Sequence, residues 1–229
     1  MKKVAVIGLG SFGESLAKSL TEKGAEVIAI DRNMERVEAI QDFVTVAVRM
    51  DSTDENALLA QSINEVDTVV VCIGEDFQSN LMTAVLVKQI GVKSIIARAT
   101  KEIEAKILKA VGIERVINPE LEIGEKLAYS LMHPKLQDIL YASGDVTVAE
   151  LEAPEKLVGK TLAELDLRRK YSVNIVIIQH MEKKVDKNGN ESVTRKTMIP
   201  VPETVISRED ILVLVGLRGD VQKIASLED

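Results

Sequence analysis

Two groups of residues near the start of the chain have the types and spacing to hold a phosphorylated ribose. The first is Gly8-Leu9-Gly10-Ser11-Phe12-Gly13, a G-x-G-x-x-G run directly behind the apolar stretch Val4-Ala5-Val6-Ile7. The second is Asp31, which closes the run Glu26-Val27-Ile28-Ala29-Ile30. Between a strand and a helix, each glycine has a separate task. Gly8 makes the tight turn, Gly10 lets backbone approach a pyrophosphate, and Gly13 lets the helix pack close to the strand. The free N–H groups of the helix start then face an anion. A carboxylate at Asp31 accepts from both hydroxyls of a ribose and repels a 2′-phosphate. NAD(H) is therefore expected to bind in preference to NADP(H), with the neighbouring Arg32 as a complication. ADP and AMP fit the same expectation, because they contain the adenosine half.

Little else in the chain could turn such a site into an enzyme. A dinucleotide domain in a dehydrogenase works with a second domain that supplies an acid, a base or a nucleophile. The later part of this sequence offers one histidine, His180, at a strand end, and no cysteine. His133 falls at a helix C-terminus, where a partly positive ring complements the helix dipole. Cys72 lies within Val69-Val70-Val71-Cys72-Ile73, the setting of a buried small hydrophobe. No His, Cys or Glu group has metal-ligand spacing. The residues point to a nucleotide-binding sensor rather than a catalyst. An NAD-dependent oxidoreductase with an unidentified substrate is the alternative.

Composition narrows the class further. The 229 residues carry a formal net charge of −7, with three Phe, three Tyr and no Trp. That combination argues against nucleic-acid and anionic-membrane surfaces, which need clustered positive charge, and against base-stacking platforms. It also counts against a redox-responsive transcription factor, since no basic DNA-reading helix is visible. The apolar runs are too short to cross a bilayer, and Met1-Lys2-Lys3 leads straight into a strand rather than a signal segment. A soluble, cytoplasmic protein with Cys72 reduced is the expectation.

The elements that must position Gly8–Gly13 and Asp31 alternate regularly. Strands are expected at 4–8, 26–31, 45–48, 67–73, 94–98 and 115–117. Helices are expected at 11–23, 34–41, 77–90 and 101–111, with a short one after Asp51-Ser52-Thr53-Asp54, where Ser52 and Glu55 have capping-box spacing. Val/Ile strands without alternation are covered by helices on both faces. The fold class is therefore α/β, a doubly wound parallel (Rossmann-like) sheet of order 3-2-1-4-5-6, with its crevice at the carboxyl ends of strands 1 and 4. Asn118-Pro119 caps a further helix with an apolar stripe of Leu121, Leu127, Ala128, Leu131 and Met132, stopped by His133-Pro134. That stripe suits either a crossover and association arm or packing on its own domain. A short helix at 135–141 and a hinge at Ala142-Ser143-Gly144-Asp145 are expected next. A second, smaller α+β domain then follows, its sheet largely antiparallel. It has strands at 145–152, 173–180, 192–199 and 211–216, a helix capped by Thr161 with Glu164, a hairpin turn at Lys187-Asn188-Gly189-Asn190 and a helix at 220–227. The expected division is 1–118, 119–142 and 143–229.

Several stretches together carry a family resemblance. They are Val6-Ile7-Gly8-Leu9-Gly10-Ser11-Phe12-Gly13, Asp51-Ser52-Thr53-Asp54-Glu55, Val70-Val71-Cys72-Ile73-Gly74-Glu75, Lys109 to Glu120, and Glu209 to Gly216. The chain resembles the RCK (regulator of potassium conductance) family, of the Ktr/Trk type, over essentially its whole length. The resemblance implies a cytoplasmic regulatory subunit, peripheral to the inner face of the membrane. It implies a homodimer that assembles into an octameric ring and gates an integral-membrane potassium-translocating partner. Carried over, Gly10 to Gly13 cradle phosphates, Asp31 takes the ribose with Arg32 and Asn33 beside it, and Asp51 and Ser52 face the adenine. Ile73, Gly74 and Glu75 border the crevice, Arg98 contacts phosphate, and Glu104 lies nearby. Ser11 departs from the arginine that reaches the terminal phosphate of ATP in Ktr-type members. ATP-selective gating is thereby in doubt, with NAD(H), ADP and AMP left open. Glu120 is implied as a ligand to Mg²⁺ or Ca²⁺ beside the phosphates; as the second residue of a helix it equally complements the dipole. Asp166, Arg168 and Asn174, with Pro200, resemble the stretch that takes cyclic di-adenylate in some relatives. By their residues alone they are a surface helix end and a buried strand.

Overall fold

Val/Ile runs that lack polar alternation need a cover on each face, and the first sheet has one. The computed structural model describes residues 1–132, 136–143, 145–185 and 191–227. They fall into two units, Met1–Glu122 and Ile123–Asp229. In the first, β1 (Lys3–Ile7), α1 (Ser11–Glu22), β2 (Glu26–Asp31), α2 (Met34–Ile40), β3 (Val46–Arg49) and α3 (Glu55–Ala60) lead to β4 (Thr68–Val71). Then come α4 (Phe77–Gln89), β5 (Ile95–Arg98), α5 (Glu102–Ala110) and β6 (Arg115–Ile117), and α6 (Pro119–Met132) starts in this unit and continues past Glu122. The six strands are parallel in the order β3-β2-β1-β4-β5-β6, as expected from the sequence. Alternate residues of β1 enter opposite cores. Ala5 and Ile7 join Val69, Val71 and Leu108, whereas Val4 and Val6 join Ala17, Val27 and Val37.

The second unit forms a five-stranded sheet, β10-β9-β11-β8-β7, with every pairing antiparallel. Its elements are β7 (Leu136–Ser143), β8 (Val146–Glu152), α7 (Leu162–Leu165), α8 (Leu167–Tyr171), β9 (Asn174–Val185), β10 (Glu191–Met198), β11 (Ile211–Leu217) and α9 (Arg218–Ala225). Burial alternates along β8, and its inward Ala149 and Leu151 share a core with Ile178, Leu212, Leu214, Val221 and Ile224. Thr161 and Glu164 form the reciprocal cap expected at α7.

Three local expectations are corrected. Residues 136–143 are a strand, not a helix. They pair antiparallel with β8, and Ile139-Leu140-Tyr141 suits a pleated surface better than a helix. Ala142 and Ser143 accordingly end β7, with Ser143 opposite Val146, instead of forming a hinge. Ser52 does not cap α3. Asp54 does, accepting from the N–H of Asn56 and Ala57, while Ser52 is buried and shares a hydrogen bond with Thr83. The expected stop at His133-Pro134, Gly144 of the hinge and the turn Lys187–Asn190 lie outside the described residues. On α6, Asn118 caps as expected, accepting from the N–H of Leu121 at 3.0 Å. Leu121, Leu127, Leu131 and Met132 of its apolar stripe are exposed by 56, 57, 72 and 77%.

Candidate nucleotide site

In a parallel sheet every strand ends on the same edge, so the loops after β1, β2, β4 and β5 converge. They enclose a cavity of about 360 Å³. The turn after β1 explains two glycines from contacts within the chain. Gly8 has φ +95°, and a Cβ on it would come 2.9 Å from the nitrogen of Ile73. A Cβ on Gly13 would lie 1.9 Å from the carbonyl oxygen of Gly8, so the first turn of α1 packs directly beneath the turn. Gly13 is thus under the cavity rather than lining it. A Cβ on Gly10 would meet no atom within 4 Å, so no contact within the chain requires that glycine. Gly10 also provides no side-chain cap for α1, whose first-turn N–H groups have no partner within the helix, and Ser11 and Phe12 of that turn line the cavity.

Asp31 is 6% exposed and held rigidly. Its Oδ2 accepts from the Leu9 N–H at 2.7 Å and its Oδ1 from the Asn33 N–H at 2.8 Å. A carboxylate has about four acceptor positions, so one on each oxygen remains for a ligand hydroxyl. Across the crevice, Arg36 places one guanidinium nitrogen 3.6 Å from Asp31 and another 3.4 Å from Glu75. Asp51 accepts from the Thr53 N–H at 2.9 Å and the Thr53 hydroxyl at 2.7 Å. These bonds, with the charge of Arg32, hold its carboxyl below the usual carboxylate range. Burial pushes the Cys72 thiol up to about 12, against a smaller opposing effect of Arg98, so the sulfur stays protonated and poorly nucleophilic.

At the other end of the cavity Arg98 lies against Gly74, where a Cβ would come 2.6 Å from a guanidinium nitrogen. Its Cζ is 6.0 Å from the centre of the Phe12 ring, and its guanidinium contacts the Glu120 carboxylate. Asn80, 1% exposed, donates from one amide nitrogen to the carbonyls of Ile73 and Arg98, tying the ends of β4 and β5 together.

Of the residues expected from the sequence, Gly8, Gly10, Ser11, Phe12, Asp31, Arg32, Asp51, Ser52, Ile73, Gly74, Glu75, Arg98 and Glu120 line this one cavity. Three expected residues do not. Asn33 caps α2, accepting from the Glu35 N–H at 2.8 Å. Glu104 caps α5 instead of facing the cavity. Burial alone would raise its pKa, but bonds from the Thr100 N–H and hydroxyl and the Lys101 N–H lower it. Gly13 is the third. Arg36, Met50, Asp76 and Ser79 line the cavity without having been expected. For Arg36 the signal was its place in the first turn of a helix starting at the Asp31 end of β2.

Glu120 brings no cation site of its own. Among the described residues no group of three or more His, Cys, Asp or Glu could hold a metal ion. A cation there would need oxygen ligands from a bound phosphate. In the second unit Asp166 joins α7 to α8 with a left-handed backbone at φ 45°, Arg168 is exposed on α8, and Asn174 opens β9. Pro200 leads into a segment whose Pro202 and Thr204 carbonyls accept from Ala163 and Leu162. Among the described residues, no hydrogen bond or ion pair joins the four. No described helix is long and apolar enough to cross a membrane.

Fold and crevice together define a Rossmann-like domain, followed along the chain by a small antiparallel domain. The chain belongs to the TrkA-N/TrkA-C family: the TrkA-N domain matches residues 4–119 and the TrkA-C domain residues 146–228. The resemblance read from the sequence is borne out. The Ktr system potassium uptake proteins C and A of Bacillus subtilis (strain 168) are each 34% identical over 222 residues, covering 97% of this chain and 95% of theirs. Among solved structures, the GsuK channel bound to NAD superposes with a TM-score of 0.63 at 16% identity. It covers 100% of this chain, which spans 40% of that one, and shows the shared fold.

Proposed function

We propose that this protein is a non-enzymatic regulatory subunit of a potassium uptake system and that it senses NAD(H), ADP or AMP. One observation carries the reading. A single cavity at the carboxyl ends of β1 and β4 joins the glycine turn, a fixed Asp31 and Arg98, and its lining contains no histidine. The turn supplies N–H donors for a pyrophosphate, Asp31 supplies acceptors for a ribose diol, and Arg98 supplies charge for a phosphate. The cavity volume falls within the roughly 300–1,000 Å³ usual for small-ligand sites. A dehydrogenase would need a proton-transferring group over the nicotinamide. Cys72 is buried and protonated, and His180 is engaged in the second unit by the buried Asp210 at 2.6 Å. The Bacillus relatives, as Ktr potassium uptake proteins, support a potassium uptake system. The GsuK channel, solved with NAD bound, supports NAD as a ligand class.

In this reading the protein is cytoplasmic and bound to an integral-membrane potassium-translocating partner. It forms homodimers that build an octameric ring, with Mg²⁺ or Ca²⁺ joining Glu120 and ligand phosphate. The region of Asp166, Arg168, Asn174 and Pro200 is the candidate for a second ligand such as cyclic di-adenylate. The test is calorimetry with NADH, NADPH, ADP and AMP, run beside turnover assays on carbonyl and alcohol panels. Binding without turnover is expected. Steady turnover of any natural substrate would make the protein an oxidoreductase. Native mass spectrometry with and without ADP checks the octamer, and co-purification from native membranes checks the partner.

A further inference from the structure

The contact between Arg98 and Glu120 has two unequal sides. The Arg98 side chain is 17% exposed and that of Glu120 is 58% exposed. Arg98 is anchored: Asn80 holds its carbonyl, its guanidinium rests against Gly74, and its Nε–H is buried without a partner. Glu120 is a surface side chain in the first turn of α6. When such a pair separates, the exposed carboxylate returns to water at little cost, whereas the half-buried guanidinium, with its Nε–H out of solvent, favours another anion. The nearest place for that anion is the cavity both residues line, beside Ser11 and Phe12 in the first turn of α1, which has no side-chain cap.

We propose that Glu120 is an internal substitute for ligand phosphate, a latch that occupies Arg98 until a phosphate displaces it. The inference rests on the nucleotide reading of the cavity and adds how that site selects and reports its ligand. Adenosine satisfies Asp31 but has nothing to offer Arg98, so it leaves the latch closed. A ligand whose phosphate reaches Arg98 opens it and frees the first turn of α6. That helix begins in the first unit and continues past Glu122 into the second. Phosphate occupancy is thereby converted into a change at the start of α6. The latch also weakens binding. If it is closed about nine-tenths of the time, the apparent affinity for a phosphorylated ligand falls about tenfold, because only the open state accepts it.

The test is calorimetry on the full chain in EDTA with ADP and with adenosine. Proteins compared are wild type, Glu120→Asp, Glu120→Gln, Arg98→Ala and the double variant Arg98→Ala/Glu120→Gln. Glu120→Asp keeps the charge but shortens the side chain, which separates a latch from general repulsion. Both single Glu120 variants are expected to bind ADP about tenfold more tightly than wild type, with adenosine changed by less than about twofold. In the Arg98→Ala background the Glu120→Gln gain should shrink to about twofold or less. Equal ADP affinity in wild type and Glu120→Asp would overturn the latch while leaving the nucleotide site standing. So would a full gain from Glu120→Gln without Arg98, since that is simple charge repulsion. Failure of wild type and every folded variant to bind either ligand would remove both the latch and the nucleotide reading.

Discussion

The two sheets of this chain differ in what their ends can do. In the first unit six parallel strands deliver all their carboxyl ends to one edge, and 13 of the 16 residues expected around the nucleotide meet there in one cavity. In the second unit five antiparallel strands end alternately at opposite edges. Its candidate residues Asp166, Arg168, Asn174 and Pro200 lie on three different segments with no bond among them. Parallel pairing brings functional groups to one edge, and antiparallel pairing divides them between two.

The largest expected effect tests how tightly the first edge is built. Gly13→Val places a Cβ against the carbonyl of Gly8 and should destabilise the protein by about 3 kcal/mol in chemical denaturation. Hydrogen-exchange protection should fall in β1, β2 and β4 and persist in β8 and β11. Undiminished protection in β1 would show that the turn can relax, and that the contrast in rigidity is false.

Next in size is the loss of a ligand contact. If Asp31 takes the ribose as proposed, Asp31→Ala should weaken NADH and ADP binding about 100-fold. Wild type should bind NADH more tightly than NADPH, since Asp31 repels a 2′-phosphate. Equal or tighter NADPH binding would move the recognition of that phosphate to Arg36, which lies 3.6 Å from Asp31.

A smaller effect separates support from recognition at the same edge. Glu104→Gln should cost about 1 kcal/mol by weakening the cap of α5, and leave ADP affinity within about twofold. Because the folded-state pKa of Glu104 is lowered, its contribution is present above the unfolded carboxylate value of about 4.3. It disappears as pH falls through the folded value. The stability gap between wild type and Glu104→Gln should therefore close on acidification below about pH 4, followed by denaturant titration at each pH. A large loss of ADP affinity would return Glu104 to the ligand.

The smallest expected change has the opposite sign and lies in the second unit. Gly219 sits in α9 with no atom within 4 Å of a built Cβ. Gly219→Ala should stabilise the protein by about 0.5 kcal/mol in the same denaturation assay, through helix propensity and a less flexible unfolded chain. A loss of stability would mean that the second unit is as closely fitted at its helix as the first is at its turn.

Much of the first unit was determined by the sequence itself, because its signals are local. The glycine run between a Val/Ile strand and a helix, and Asp31 at the next strand end, specify a turn, a crossover and a strand order within short stretches of chain. Differences from expectation fall where a polar side chain could serve either the backbone beside it or a ligand. Asn33 and Glu104 have the chemistry of ligand contacts and are used as helix caps; Ser52 has the spacing of a cap and is buried against Thr83. The helix expected at 135–141 is a strand where it is described, since its register comes from β8 and not from its own pattern. The pairs Arg36–Glu75 and Arg98–Glu120 are separated widely in the chain and carry no spacing signal. Only the tertiary structure could set them face to face, because a side-chain contact between distant segments follows from how the sheet aligns its strand ends and not from any property of the segments alone.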